Sequence, residues 1–145
     1  MQLTRYSDYS LRVLMYLALE PDRLSTIEEI AGSYDISKAH LMKVVHQLGL
    51  RGYVETVRGR RGGLRLARRP EEIRLGDVLR STEGDMALVE CFNPAGSQCA
   101  IEPACRLRLV LHDALAAFLA VLDRHTLADL VARRRGPLTR LLEAS

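Results

Sequence analysis

The amino-acid sequence predicts a mainly α fold: a winged helix-turn-helix followed by a long C-terminal dimerisation helix. Three observations carry that prediction. Residues 25–52 hold two capped, apolar-periodic segments joined by a short turn. Two β-rich runs follow, Tyr53–Val57 and Leu64–Leu66, with RGRRGG between them at 58–63. A heptad-like apolar stripe then runs through Leu107, Leu111, Ala114, Phe118 and Val121. The expected division is a winged helix-turn-helix at 1–82, a loop at 83–103, and the dimerisation helix with a C-terminal arm at 104–145.

Each element has a local cause. Leu11, Leu14, Met15, Ala18 and Leu19 follow the spacing of one helix face. Ser7 or Asp8 is expected to cap that helix or stand in its first turn, and Pro21 to end it. Ser25-Thr26-Ile27-Glu28 reads as a capping box, with Ser25 at the N-cap and Glu28 reaching back. The short helix through Ile27, Ile30 and Ala31 should end at Gly32. Ser37 caps a third helix, where Leu41, Val44, Val45 and Leu48 point inward and Gly52 marks the end. The hairpin glycines supply the positive φ of a tight turn. Pro70 closes the unit, and a short helix covers Gly76–Ser81. Residues 84–103 have no periodicity. A long helix spans Ala104–His125, and its stripe needs a partner. Thr126 and Asp129 cap one more short helix.

Composition narrows the class. The chain has 145 residues and is 48% hydrophobic, enough for one real core. No apolar run approaches the roughly 18 residues of a membrane span, and no signal-peptide pattern opens the sequence. Three cysteines leave one thiol over from any disulfide pairing, which points to a reducing, cytoplasmic location. The net charge of +3 is asymmetric. Residues 1–70 carry twelve Lys/Arg against seven Asp/Glu, and residues 71–145 carry nine against eleven. A basic N-terminal half suits a polyanion.

The outward face of the third helix carries Ala39, His40, Lys43, His46 and Gln47, with Ser37 and Lys38 at its start. Such hydrogen-bonding side chains match the donor and acceptor patterns of the major groove. A plain solvated face is the ordinary alternative. The wing adds weight: Arg51, Arg58, Arg60, Arg61, Arg65, Arg68 and Arg69 face one acid, Glu55, across residues 51–69. Arg60 and Arg61 stand at the tip with no local partner. Arginine forks onto phosphate and is drawn into the narrow minor groove. Double-stranded DNA is therefore the expected partner, through Ser37, Lys38, His40, Lys43, Arg58, Arg60 and Arg61.

Cys91, Cys99 and Cys105 occur in one segment and nowhere else, spaced C-x7-C-x5-C. Pro94, Gly96 and Pro103 make the segment loop-like. It has neither the paired CxxC of a zinc ribbon nor the CxxCxxC of a bacterial ferredoxin. Soft thiolates select iron–sulfur clusters, zinc or Cu(I). The plain alternative is three small hydrophobes, which the polar neighbours Ser97, Gln98 and Glu102 oppose. A [4Fe–4S] cluster needs a fourth ligand, and His112 or a carboxylate from elsewhere stay open. No glycine-rich nucleotide loop follows a strand and no CxxC pair exists, so enzymatic activity is not expected.

The start MQLTRYSDYSLRVLMYLA, the stretch ISKAHLMKVVHQLGLRGYVETVRGRRGGLRLAR and the loop CFNPAGSQCAIEPACRL resemble a bacterial family of winged-helix regulators with iron–sulfur clusters, in its nitric-oxide-sensing branch. The likeness runs on to HTLADLV at 125–131. It implies a homodimer with crossed long helices, a [4Fe–4S] cluster on Cys91, Cys99 and Cys105, and Asp8 of the partner subunit as fourth ligand. It also implies transcriptional repression relieved by nitric oxide. A sister branch, which regulates cluster biosynthesis, has histidine three residues after the last cysteine. Arg108 stands there, so that ligand set is missing. The first cysteine gap is longer than in some relatives. Asp8 keeps a plain reading as a first-turn acid paired with Arg12. Two alternatives remain: a repressor using the thiols without a cluster, and a related iron–sulfur regulator answering to cluster or redox status. A [2Fe–2S] cluster is the secondary cofactor expectation, and an air-exposed apo preparation would lack either.

Overall fold

The structure, a computed structural model, describes residues 2–93, 95–133 and 135–144. Pro94, expected in the cysteine loop, lies outside them. The chain runs α1 (Arg5–Leu19), α2 (Ile27–Tyr34), α3 (Lys38–Leu50), β1 (Val54–Val57), β2 (Gly63–Leu66), α4 (Leu75–Thr82), α5 (Arg106–Asp123), α6 (Leu127–Ala132) and α7 (Arg135–Glu143). Short 3-10 turns sit at Pro70–Glu72, Glu90–Phe92 and Glu102–Ala104. The winged helix-turn-helix is present, with the long helix after it.

The core forms around α1. Val13, Leu14, Leu17 and Ala18 are buried against Ile30, Leu41, Val44, Val45 and Leu48 of the helix-turn-helix and Leu64 and Leu66 of the wing. Val78, Leu127 and Val131 join the same cluster, so α6 returns to it from the far end of the chain. The buried face of α1 is rotated from the expected stripe. Leu11 and Met15 are only half-buried, while Ser7 and Ser10 are fully buried. Ser7 and Asp8 stand in the first turn of α1, inside the helix rather than at its cap, and the Ser7 hydroxyl donates to Thr82 Oγ1 at 2.9 Å. Thr4 caps instead, accepting from the Ser7 N–H at 3.2 Å.

The second cap is shifted by one residue. Thr26 is the N-cap and Glu29 the reciprocal acid. Ser25 is unavailable because its backbone exchanges hydrogen bonds with Leu64, at 3.0 and 2.7 Å. Glu28 turns outward to pair with Lys38. Nor does Gly32 end α2. Asp35 does, in the left-handed region at φ 51°, a conformation short polar side chains tolerate.

The remaining expectations for the head hold with refinements. Ser37 caps α3, accepting from the His40 N–H at 3.2 Å, and Leu41, Val44, Val45 and Leu48 are buried. β1 and β2 pair antiparallel with Glu55 opposite Arg65. In the turn only Gly59 has positive φ, at 114°. Gly63 serves close approach instead: a Cβ there would lie 2.9 Å from the Ser25 carbonyl oxygen.

None of the α5 side chains is buried in the chain. The helix is fastened at its C-terminal end, where Arg80 holds Asp123 with two bonds of 2.7 Å. Thr126 and Asp129 form the expected capping box for α6. The stretch expected only as a C-terminal arm forms α7, whose Leu138 and Leu142 pack against the core.

Candidate functional site

Helix α3 is held by its buried face, so its other side is free for recognition. His40 and Lys43 are exposed, as are Ala39 and His46. Ser37 spends its side chain on the cap, and Lys38 is paired with Glu28. Gln47 is bound by Arg51 at 2.7 Å, which withdraws it from the reading face. His40 meets the edge of the Tyr9 ring, centroids 5.9 Å apart. Nothing in the spacing of residues 9 and 40 signals that contact, because it depends on how α1 crosses α3.

The seven wing arginines separate into two groups. Arg51 donates to the Ser81 carbonyl at 2.8 Å, and Arg68 to the Gly52 and Arg51 carbonyls at 2.9 and 3.0 Å. Arg68 also stacks over Tyr53, 4.8 Å from the ring centroid. Arg65 pairs with Glu55 across the strands, and Arg69 with Glu71 at 3.7 Å. Arg58, Arg60 and Arg61 are exposed, and among the described residues no acid pairs with them. These are the three of the seven that the sequence singles out for DNA. The fold leaves three for a polyanion.

The cysteines are free thiols. Cys91 is half-buried in the turn Glu90–Phe92. Cys99 is exposed, its N–H donating to Ser97 Oγ at 3.0 Å. Cys105 is half-buried at the start of α5, its N–H donating to the Glu102 carbonyl at 3.2 Å. Cys91 shares an open cavity of about 700 Å³ with Arg108 and His112. Cys99, Cys105 and Asp8 do not line it. The His112 ring meets Phe92 edge-on, centroids 6.2 Å apart, and Arg108 lies 3.5 Å from Glu102. Among the described residues no three His, Cys, Asp or Glu side chains are placed to hold a metal ion. The donor set is nonetheless suited to a soft metal centre: three unpaired thiols in one loop. Asp8 sits in the first turn of α1, its carboxylate gripped by Arg12 at 2.9 and 3.1 Å. Within one chain it is the paired first-turn acid.

Among the described residues no helix is long and apolar enough to cross a membrane. Residues 3–133 match the Rrf2 family model, described as an iron-dependent transcriptional regulator. The HTH-type transcriptional regulator NsrR of Bacillus subtilis is 56% identical over 135 residues, covering 92% of this chain and 92% of that protein. Among solved structures, T. potens IscR superposes with a TM-score of 0.74 at 25% identity, over 92% of this chain and 88% of that one. CymR, the global cysteine regulator of B. subtilis, gives 0.72 at 27% identity, over 92% and 98%. The family model, NsrR and CymR are all described as regulators, and the family match spans the head, the loop and the long helix together. The chain belongs to the Rrf2 family of transcriptional regulators.

Proposed function

We propose that this regulator is a homodimeric repressor that carries a [4Fe–4S] cluster and releases DNA on exposure to nitric oxide. The observation that carries this reading is the set of three free thiols in one 15-residue segment leading into α5. They stand in a chain similar to NsrR proteins over nine-tenths of its length. Cys91, Cys99 and Cys105 would hold the cluster through soft thiolates, with Asp8 of the partner subunit as a harder oxygen donor. When bound, the cluster would supply an iron that can take nitric oxide as a ligand. Asp8 is the most replaceable donor, and Arg12 stands ready to pair with the freed carboxylate. Losing that link between subunits changes the spacing of the two α3 helices, and with it the match to half-sites on the duplex.

The homodimer reading rests on α5. Leu107 and Val110 are 62% and 61% exposed, more than a lone helix in water should leave bare. A second copy laid along α5 would cover them.

The test is an anaerobic purification followed by nitric oxide titration. The expected protein is brown, loses its visible absorption with nitric oxide, and loses DNA affinity in parallel. Cys→Ala at 91, 99 or 105 should abolish the colour and leave the fold intact. Colourless protein whose DNA affinity still answers to thiol oxidation would establish the cluster-free thiol sensor instead. The exposure of Cys99 favours that second reading.

A further inference from the structure

We propose that Met42 reads thymine, its thioether side chain packing on a C5-methyl group in the major groove. The inference rests on the DNA-binding reading above and adds a specificity determinant to it.

Met42 breaks the pattern of α3. By composition a methionine in an amphipathic helix belongs to the core, yet this one is 52% exposed. Its neighbours at Leu41 and Val44 fill the core without it. It lies one turn after Ala39 and one turn before His46, so the three form a single row on the helix surface. Ala39 and His46 are exposed as well.

A lone exposed apolar residue is ordinary on a protein surface. This one stands on the element that the fold leaves open for recognition. The surroundings select its occupant. Lys43 is exposed on the same helix, and Arg58, Arg60 and Arg61 crown the adjacent wing. A second copy of this chain would bring the same positive charge against itself. DNA brings the opposite charge. Of the groups the major groove presents, only the thymine methyl is apolar. A flexible thioether flanked by an alanine suits it, where a charged side chain would lose hydration without gaining a partner.

The test uses full-length protein purified anaerobically and a duplex that the protein itself selects from a random-sequence pool. Each thymine in that duplex is replaced in turn by deoxyuridine, which removes the methyl group alone. For wild type, at least one replacement should weaken binding about fourfold, the worth of one buried methyl group. Met42→Ala and Met42→Gln should bind the thymine and uracil duplexes equally at that position. Met42→Leu should keep most of the difference. If Met42→Ala shows the wild-type penalty at every position, or wild type is insensitive to every replacement, the assignment to Met42 is overturned and DNA binding stands. If wild type selects no sequence at all, the DNA-binding reading fails with it. Circular dichroism guards the comparison, and the exposed position predicts unchanged spectra.

Discussion

Arg58, Arg60 and Arg61 keep their charge free because the hairpin ends beyond the reach of any acid. A guanidinium left in water gains nothing for folding, so on the DNA-binding reading these side chains would act only once a phosphate arrives. Replacing Arg60 and Arg61 with Ala should leave the melting temperature unchanged and weaken binding to selected and random duplexes alike. The log–log salt slope should flatten by about one to two units, since each phosphate contact contributes roughly 0.9. An unaltered slope would remove the wing tip from the interface. Arg68 should behave in the opposite way. Its stack on Tyr53 and its two carbonyl bonds tie the strand exit to the end of α3. Arg68→Ala should cost about 1 kcal/mol of stability in denaturant titrations, with little change in salt slope.

Elements show where local signals suffice and where they do not. Ser37, Leu41, Val44, Val45 and Leu48 identify α3 completely, because a cap and a buried face are both local patterns. Thr126 and Asp129 do the same for α6. The start of α2 misleads because Ser25 is claimed by Leu64, a partner 39 residues away that no local spacing announces. For the same reason Thr26→Ala, not loss of the Ser25 hydroxyl, should remove the cap and cost about 1 kcal/mol in thermal unfolding. The free tip of Arg58, Arg60 and Arg61 is legible, whereas the engagement of Arg51 and Arg68 is non-local, since Ser81 and Tyr53 hold them. The three cysteines are legible as a group from their spacing, and among the described residues no three potential metal ligands are brought together. Helix α5 tests the proposed dimer directly. Leu107→Asp with Val110→Asp should give monomers in sedimentation velocity while the head stays folded, because neither side chain touches the core. Dimers that persist would place the interface elsewhere.

Carboxylates sit at the joints of the molecule, Asp129 exposed and Glu29, Glu83 and Asp123 half-buried. Glu29 is kept below its ordinary range first by the Thr26 N–H and then by Arg23, and Asp123 by Arg80. The Thr126 N–H does the same for Asp129. Burial pushes Glu83 upward, but the hydrogen bonds it accepts, Thr4 among the donors, bring it below its usual value. Each group therefore protonates at lower pH in the folded chain than in the unfolded one. The stability they contribute is present above the ordinary carboxylate range near pH 4 and is lost as pH falls through the depressed folded values. Denaturation midpoints should be level from pH 7 to about pH 5 and decline below it, more shallowly in high salt. A midpoint that rises on acidification would contradict this account. The bridge between Ser25 and Leu64 has a mechanical consequence. It bolts the wing to the entrance of α2, and α2 packs on α3, so wing and reading helix share one set of coordinates. A signal cannot retune one against the other without breaking backbone hydrogen bonds. In the dimer proposed above, the adjustable quantities would be the distance and angle between two such heads. Regulation would then be a matter of gauge: the same contacts offered in every state, and the duplex either fitting the span or not.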